Sequence, residues 1–250
     1  MAEAQPRLVL EGVSKQFGGL HAVEDVNLRL TAGDRHGILG PNGAGKTTLF
    51  NLITGALPIT SGRVTLFGHD VTRWPTHKRT ALGMARTYQI TSLFPKLTVL
   101  DNVLLAVQGL RPMKFVMFRP LTGYKDVYEK AEKLLTEANF WHVKNQQVRN
   151  LSHGEQRQLE VILGLASDPK VLLLDEPSAG LATGESREMA QFLNSLDKDL
   201  SILIIEHDLD VLFGVVSHIT VLHYGKVLLE GPSDQVRNDS QVKEIYLGKG

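Results

Sequence analysis

The sequence predicts an α/β fold: a core in which strands alternate with helices, and a smaller antiparallel β-layer laid against it. Three observations carry that expectation. Residues 170–174 and 201–205 are near-continuous apolar runs, as in strands of a parallel sheet covered on both faces. Helical periodicity separates them, at 185–196 and elsewhere, and strand–helix alternation marks an α/β core. Near the N-terminus, residues 7–13 and 22–30 instead alternate apolar with polar side chains, as half-buried antiparallel strands do.

In chain order, residues 7–13 form a first strand with Leu8 and Leu10 on one side, 14–19 a turn carrying Phe17, and 22–30 a second strand. Residues 35–39 are a short strand leading into Gly40-Pro41-Asn42-Gly43-Ala44-Gly45-Lys46-Thr47, followed by Thr48. This run fits Gly-x-x-x-x-Gly-Lys-[Ser/Thr], the P-loop. Its glycines let the backbone curl so that successive N–H groups point inward at an anion. Lys46 then reaches the β- and γ-phosphates, and the Thr47 hydroxyl is placed to ligate Mg²⁺. The helix expected over 48–53 turns its N-terminus toward the same phosphates. The chain is therefore expected to bind a nucleoside triphosphate.

Beyond the loop, 62–68 reads as a strand, 76–82 as a helix, and 84–89 as a strand ending in Gln89. Helical spacing covers 98–109 and 127–137. Between these helices, residues 111–120 interleave basic and aromatic side chains between prolines, either a docking segment for a membrane protein or a surface loop with a hydrophobic anchor. Leu151-Ser152-His153-Gly154-Glu155-Gln156 opens a helix running to about Ala166. Two further strands lie around 219–222 and 226–229, and one weak amphipathic helix occupies the tail, ending at Tyr246-Leu247.

Two strand ends carry acid chemistry. Asp175, closing the 170–174 run, stands where a P-loop protein places its second magnesium ligand. Glu176 beside it is sited as a general base, near the metal and γ-phosphate yet able to polarise a water. His207 ends the next buried strand, placed either to hold water and base in register against the γ-phosphate or simply to cap a helix.

Composition narrows the classes. A length of 250 residues suits one large domain or two small ones. Lysine plus arginine and aspartate plus glutamate balance at 27 each, so no overall field favours nucleic acid. The absence of cysteine excludes disulfides and thiolate metal sites. The polar N-terminus lacks a signal-peptide layout and no apolar run is long enough to cross a bilayer, so a membrane role is expected to run through a partner.

In these motifs the chain resembles the nucleotide-binding subunit of ABC transporters, over nearly its whole length. Residues 40–47 are similar to the family's Walker A motif, Gln89 to its Q-loop glutamine and 151–156 to its signature. Residues 171–177 are similar to Walker B, and His207 to the switch histidine. The resemblance implies a single domain with a P-loop NTPase (RecA-like) core, an antiparallel β-subdomain and an inserted α-helical subdomain. Core and β-subdomain would take 1–90 and 157–231, the helical signature subdomain 91–156 and a C-terminal tail 232–250. It implies an ATPase with ATP and Mg²⁺ as ligands, Phe17 stacking on the adenine, and Gln89 sensing metal and water.

It also implies two cassettes, identical or different, paired head to tail, each ATP lying between the P-loop of one and the signature of the other. Ser152 then offers a hydroxyl, Gly154 a bare N–H and Glu155 its place in the same turn to the partner's γ-phosphate. Two departures stand out: His153 replaces the commonest glycine of the signature, and 178–182 ends in Ala182 where most relatives carry aspartate. Within the family, the long 89–152 stretch, the Ala-Gly-Leu after Walker B and the Ile245-Tyr246-Leu247-Gly248 ending are similar to the ATPase subunit of branched-chain amino acid uptake systems. Membrane permease subunits and an extracytoplasmic solute-binding protein are then the implied partners, with the chain peripheral at the cytoplasmic face of the inner or plasma membrane. Lipid or lipopolysaccharide export, and a soluble non-transport role, are the competing readings.

Overall fold

The computed structural model describes residues 5–87, 93–109 and 125–247. The chain begins with β1 (Leu8–Phe17), β2 (Leu20–Leu30), β3 (Arg35–Leu39), α1 (Lys46–Thr54), β4 (Ser61–Leu66), β5 (His69–Asp70), α2 (Thr76–Ala81) and β6 (Met84–Arg86). Next come α3 (Val99–Gly109), α4 (Lys125–Glu137), α5 (His153–Leu165), β7 (Val171–Asp175), α6 (Thr183–Ser195) and β8 (Ser201–Ile205). The last elements are α7 (Leu209–Val215), β9 (His218–His223), β10 (Lys226–Pro232), α8 (Ser233–Asn238) and α9 (Ser240–Leu247).

The strands form two sheets. An antiparallel one has the order β2-β1-β4-β5, and a larger one the order β10-β9-β3-β8-β7-β6. In the larger sheet only β10 runs antiparallel to its neighbour. Successive side chains of a strand point to opposite faces, so a strand covered on both faces must be apolar throughout. In β7, Leu172 and Leu174 enter one core while Val171 and Leu173 enter the other, and Ile202/Ile204 and Leu203/Ile205 of β8 divide the same way. The first core packs α3 through α7 against the sheet, and the second packs α1 and the antiparallel sheet.

Several elements depart from the sequence expectation. The expected turn over 14–19 shrinks to Gly18-Gly19, because β1 continues pairing with β2 through Gln16↔His21 and Phe17↔Leu20 after several register shifts. Those irregularities broke the alternation on which the shorter strand rested. The 84–89 strand ends at Arg86; Gln89 and the 111–120 segment lie outside the described residues. The tail forms two helices: Asp239 is extended, and its carboxylate accepts from the N–H groups of Gln241 and Val242 to start α9. A helix after β8 was expected only in the alternative reading of His207 as a cap; α7 is present, and its cap is Asp208, which accepts from the N–H groups of Asp210 and Val211.

One buried cation ties α1 to its surroundings. Arg79, 1% exposed, donates to the carbonyls of Leu52 (2.9 Å) and Ile53 (2.6 Å) at the end of α1, and to those of Trp74 and Thr72. Burial lowers its pKa to about 10, which leaves it charged at neutral pH. Those of Leu52 and Ile53 belong to the last turn of α1, where carbonyls lack the regular intrahelical donors. Replacing Arg79 by Met is expected to cost about 3 kcal/mol of stability by urea denaturation, since several buried carbonyls lose a charged donor together.

Candidate nucleotide-binding site

Parallel pairing brings three strand ends to one edge. β3 hands over to the loop 40–45, β7 ends at Asp175, and β8 is followed by Glu206 and His207. The loop curls back into α1, whose N-cap Gly45 has φ +103°; a Cβ there would lie 2.4 Å from the Ala22 carbonyl oxygen, so only glycine fits. Gly43, at φ +80°, faces open space. Lys46 folds back along the loop, its Nζ donating to the carbonyls of Gly40 (2.6 Å) and Pro41 (3.0 Å). Burial lowers its pKa, while Glu176 and Asp175 act in the opposite direction.

The acid side of the cleft is tied by three interactions. Arg86 donates from Nη2 to Asp175 Oδ2 (2.6 Å) and from Nη1 to Asn51 Oδ1 (2.7 Å), joining β6, β7 and α1 in one buried ion pair. Asp175 Oδ1 is buried with no hydrogen-bond partner. Glu176 sits at φ +52°, a conformation unusual for a residue with a side chain, and its Oε1 is 2.6 Å from His207 Nε2. Behind them Glu206, 1% exposed, accepts from the N–H of Ser178 (2.7 Å) and of His207 (3.0 Å), so one carboxylate braces the turns after β7 and β8. Burial raises its pKa against the effect of those hydrogen bonds.

The resulting cleft, about 510 Å³, is lined by Phe17, Leu20, residues 42–48, Glu176, His207 and Tyr224. Another hollow, about 570 Å³ between Lys133, Pro169 and Leu196, lies at the opposite end of β7 and β8, away from the loop and the acid pair. The donor chemistry suits a divalent cation: Thr47 is exposed on the first cleft, and Asp175, which precedes the cleft-lining Glu176 but does not itself line the cleft, keeps Oδ1 as an orphaned buried carboxylate oxygen, the donor type Mg²⁺ takes.

The turn at residues 152–155 stands apart: Ser152, Gly154 and Glu155 do not line this cleft. Ser152 and Glu155 form a capping box on α5, the Ser152 hydroxyl accepting from Glu155 N–H (3.1 Å) and a Glu155 oxygen from Ser152 N–H (2.7 Å). The expectation that the Gly154 N–H is bare is not met. It donates to Glu185 Oε1 (3.0 Å), while the other oxygen of Glu185 accepts from Ala182 N–H (3.2 Å). Those two backbone donors hold the Glu185 carboxyl below its ordinary pKa. Sequence reasoning missed Glu185, Glu206 and Arg86. Each acts on a partner supplied by a different element, so no local pattern flagged them.

An α/β fold whose sheet is covered on both faces, with a P-loop, an acid strand end and a facing histidine at one edge, has the layout of a P-loop nucleotide-binding protein. Residues 23–179 match the family model described as ABC transporter, and the chain belongs to that family. It is 34% identical to the high-affinity branched-chain amino acid transport ATP-binding protein LivG of Escherichia coli, over 98% of this chain and 99% of that one. It is 33% identical to BraF of Pseudomonas aeruginosa, whose name carries the same description, over 98% and 99%. The structure is similar to the ADP conformation of MJ1267, an ATP-binding cassette of an ABC transporter (TM-score 0.87, 31% identity, 98% and 100% covered). A nucleotide-free ATP-binding cassette from an ABC transporter matches with TM-score 0.84 and 31% identity over the same shares. The chain is thus an ATP-binding ATPase subunit of a transporter, and no helix among its described residues is long and apolar enough to cross a membrane.

The Arg86–Asp175 pair supplies a test of the site's construction. With side-chain exposures of 7% and 3%, neither charge is well hydrated. Arg86→Ala should cost about 3 kcal/mol in chemical denaturation by stranding Asp175, more than a surface ion pair contributes.

Proposed function

We propose that the chain hydrolyses ATP to energise import of a small solute, branched-chain amino acids foremost, through partner membrane subunits. The observation that carries this reading is the near-full-length similarity to LivG and BraF, both named for branched-chain amino acid transport. Its partners would be a second cassette, integral permease subunits and an extracytoplasmic solute-binding protein, with the chain docked at the cytoplasmic face of the membrane. Its parts would be the ATP-binding core with β-subdomain (1–90 and 157–231), the helical signature subdomain (91–156) and the tail (232–250).

In the catalytic reading, Lys46 exchanges the Gly40 and Pro41 carbonyls for the β- and γ-phosphates, a move its present hydrogen bonds make short. The backbone of 40–45 and the first turn of α1, with Thr48, hold the phosphates by N–H groups and helix dipole. Phe17 stacks on the base. Thr47 and the unpartnered Oδ1 of Asp175, with Gln89, are the groups that would hold Mg²⁺, whose charge offsets that of the phosphates. Glu176 takes the proton of the attacking water. His207, 2.6 Å from Glu176, orients that carboxylate and the γ-phosphate oxygens. Ser152, Gly154 and Glu155 serve the nucleotide of the partner cassette. Closing that pair requires Gly154 to give up its bond to Glu185.

Three measurements check this. Glu176→Gln should lower turnover by about 10²- to 10⁴-fold while nucleotide binding persists, and Mg-ATP should convert it to a dimer by size-exclusion chromatography with light scattering. Normal hydrolysis would remove Glu176 as base. Lys46→Ala should lose ATP affinity in calorimetric titration; unchanged affinity would undo the phosphate assignment. Tagged Glu176→Gln protein drawn from solubilised native membranes with Mg-ATP should bring polytopic subunits and a solute-binding protein. Polytopic subunits without a binding protein would favour export, and ribosomes or DNA-repair factors would end the transport reading.

A further inference from the structure

The β9–β10 connection is a two-residue hairpin, with His223 paired to Lys226 and Tyr224-Gly225 as its loop. Both loop residues have positive φ, +47° for Tyr224 and +80° for Gly225, the pattern of a type I′ turn. Such a turn prefers asparagine at its first position, because a residue with a bulky side chain meets steric strain there. Tyrosine is thus a poor choice for the turn as a turn. It is also 81% exposed, more than any other large apolar side chain among the described residues. An aromatic ring kept in a strained conformation and in water has no folding role that asparagine would not serve better.

Its place gives it one. The turn is docked onto the nucleotide site: Gly225 N–H donates to the Ala44 carbonyl (3.0 Å), and the Gly225 carbonyl accepts from Glu24 N–H (2.8 Å). A Cβ on Gly225 would come within 2.9 Å of the Ala22 carbonyl oxygen, so the contact is close. The His223 ring lies 4.3 Å from that of Tyr224 and supports it from one side. Tyr224 lines the same cleft as the P-loop, together with Phe17 (48% exposed) and Leu20 (67% exposed). The exposed apolar side chains of β1, β2 and the hairpin therefore converge where the base end of a nucleotide would lie, while Lys46, Glu176 and His207 take the phosphate end.

We propose that Tyr224 is a base-contacting residue, forming with Phe17 and Leu20 an apolar wall for the nucleobase of the bound triphosphate. The inference rests on the reading of this cleft as the nucleotide site. An aromatic face suits a nucleobase because every base offers a π-surface that gains by leaving water against a ring. The hydrogen bonds to Ala44 and Glu24 hold the ring at a set place relative to the phosphate loop.

The test is Tyr224→Asn, which improves the turn and removes the ring, beside Tyr224→Phe, which keeps the ring. Calorimetric titrations with ATP and with inorganic tripolyphosphate separate base from phosphate contacts. Tyr224→Asn should weaken ATP about tenfold, leave tripolyphosphate unchanged and not lower the melting temperature, while Tyr224→Phe binds ATP as the native chain does. ATP affinity unchanged in Tyr224→Asn overturns the proposal. So does an equal loss for ATP and tripolyphosphate, which would mean that the turn acts only by shaping the P-loop. If Lys46→Ala also bound both ligands as tightly as the native chain, the cleft reading itself would fall, separately from the role of Tyr224.

Discussion

Parallel pairing of β3, β7 and β8 is the constraint on which the site depends. Strands that run the same way end at the same edge, and in an open α/β sheet that edge is where ligands bind. Ile38 next to the loop, Asp175 and Ile205 sit in register across this edge, so the P-loop, the acid pair and the histidine emerge side by side although the chain visits them far apart. Parallel strands need covering on both faces. The apolar cores on either side of the sheet therefore also fix where the reactive groups stand.

Around that edge, buried charges serve as braces. Arg86 holds one oxygen of Asp175 and reaches Asn51 on α1, leaving the other oxygen unpartnered. Glu206 spans the turns after β7 and β8 and so links the neighbourhoods of Glu176 and His207. Placing a carboxylate there costs solvation, visible as a raised pKa, and that cost is offset by N–H groups from both turns. Glu185 repeats the theme at the start of α5. A carboxylate from α6 takes up the Gly154 N–H, so a backbone donor in the first turn of α5 is satisfied by a side chain from another helix.

Much of the architecture was legible. The two-faced apolar runs of β7 and β8 and the alternating β2 appear where their patterns put them, because burial imposes the pattern directly. The failures are informative. β1 outran its expected end since bulges let pairing continue through residues that broke the alternation. The tail split into α8 and α9 because Asp239 caps a new helix rather than continuing the old one. The turn at Gly154 looked open in sequence, since nothing nearby in the chain announces that a glutamate 31 residues on will reach it.

The sequence by itself determined the P-loop and the helix opening at 151–156, because each is a local motif whose backbone geometry is dictated by neighbours within a few residues. It also determined which strands are buried, and the order of motifs that marks the family. Tertiary structure alone decided which oxygen of Asp175 is taken, what braces Glu176 and His207, what fills the donor at Gly154, and that a hairpin tyrosine stands beside the nucleotide loop. Those choices rest on contacts such as Arg86 with Asp175, 89 residues apart, and spatial nearness across such a gap is set by sheet order and packing, which leave no mark at either position in the chain.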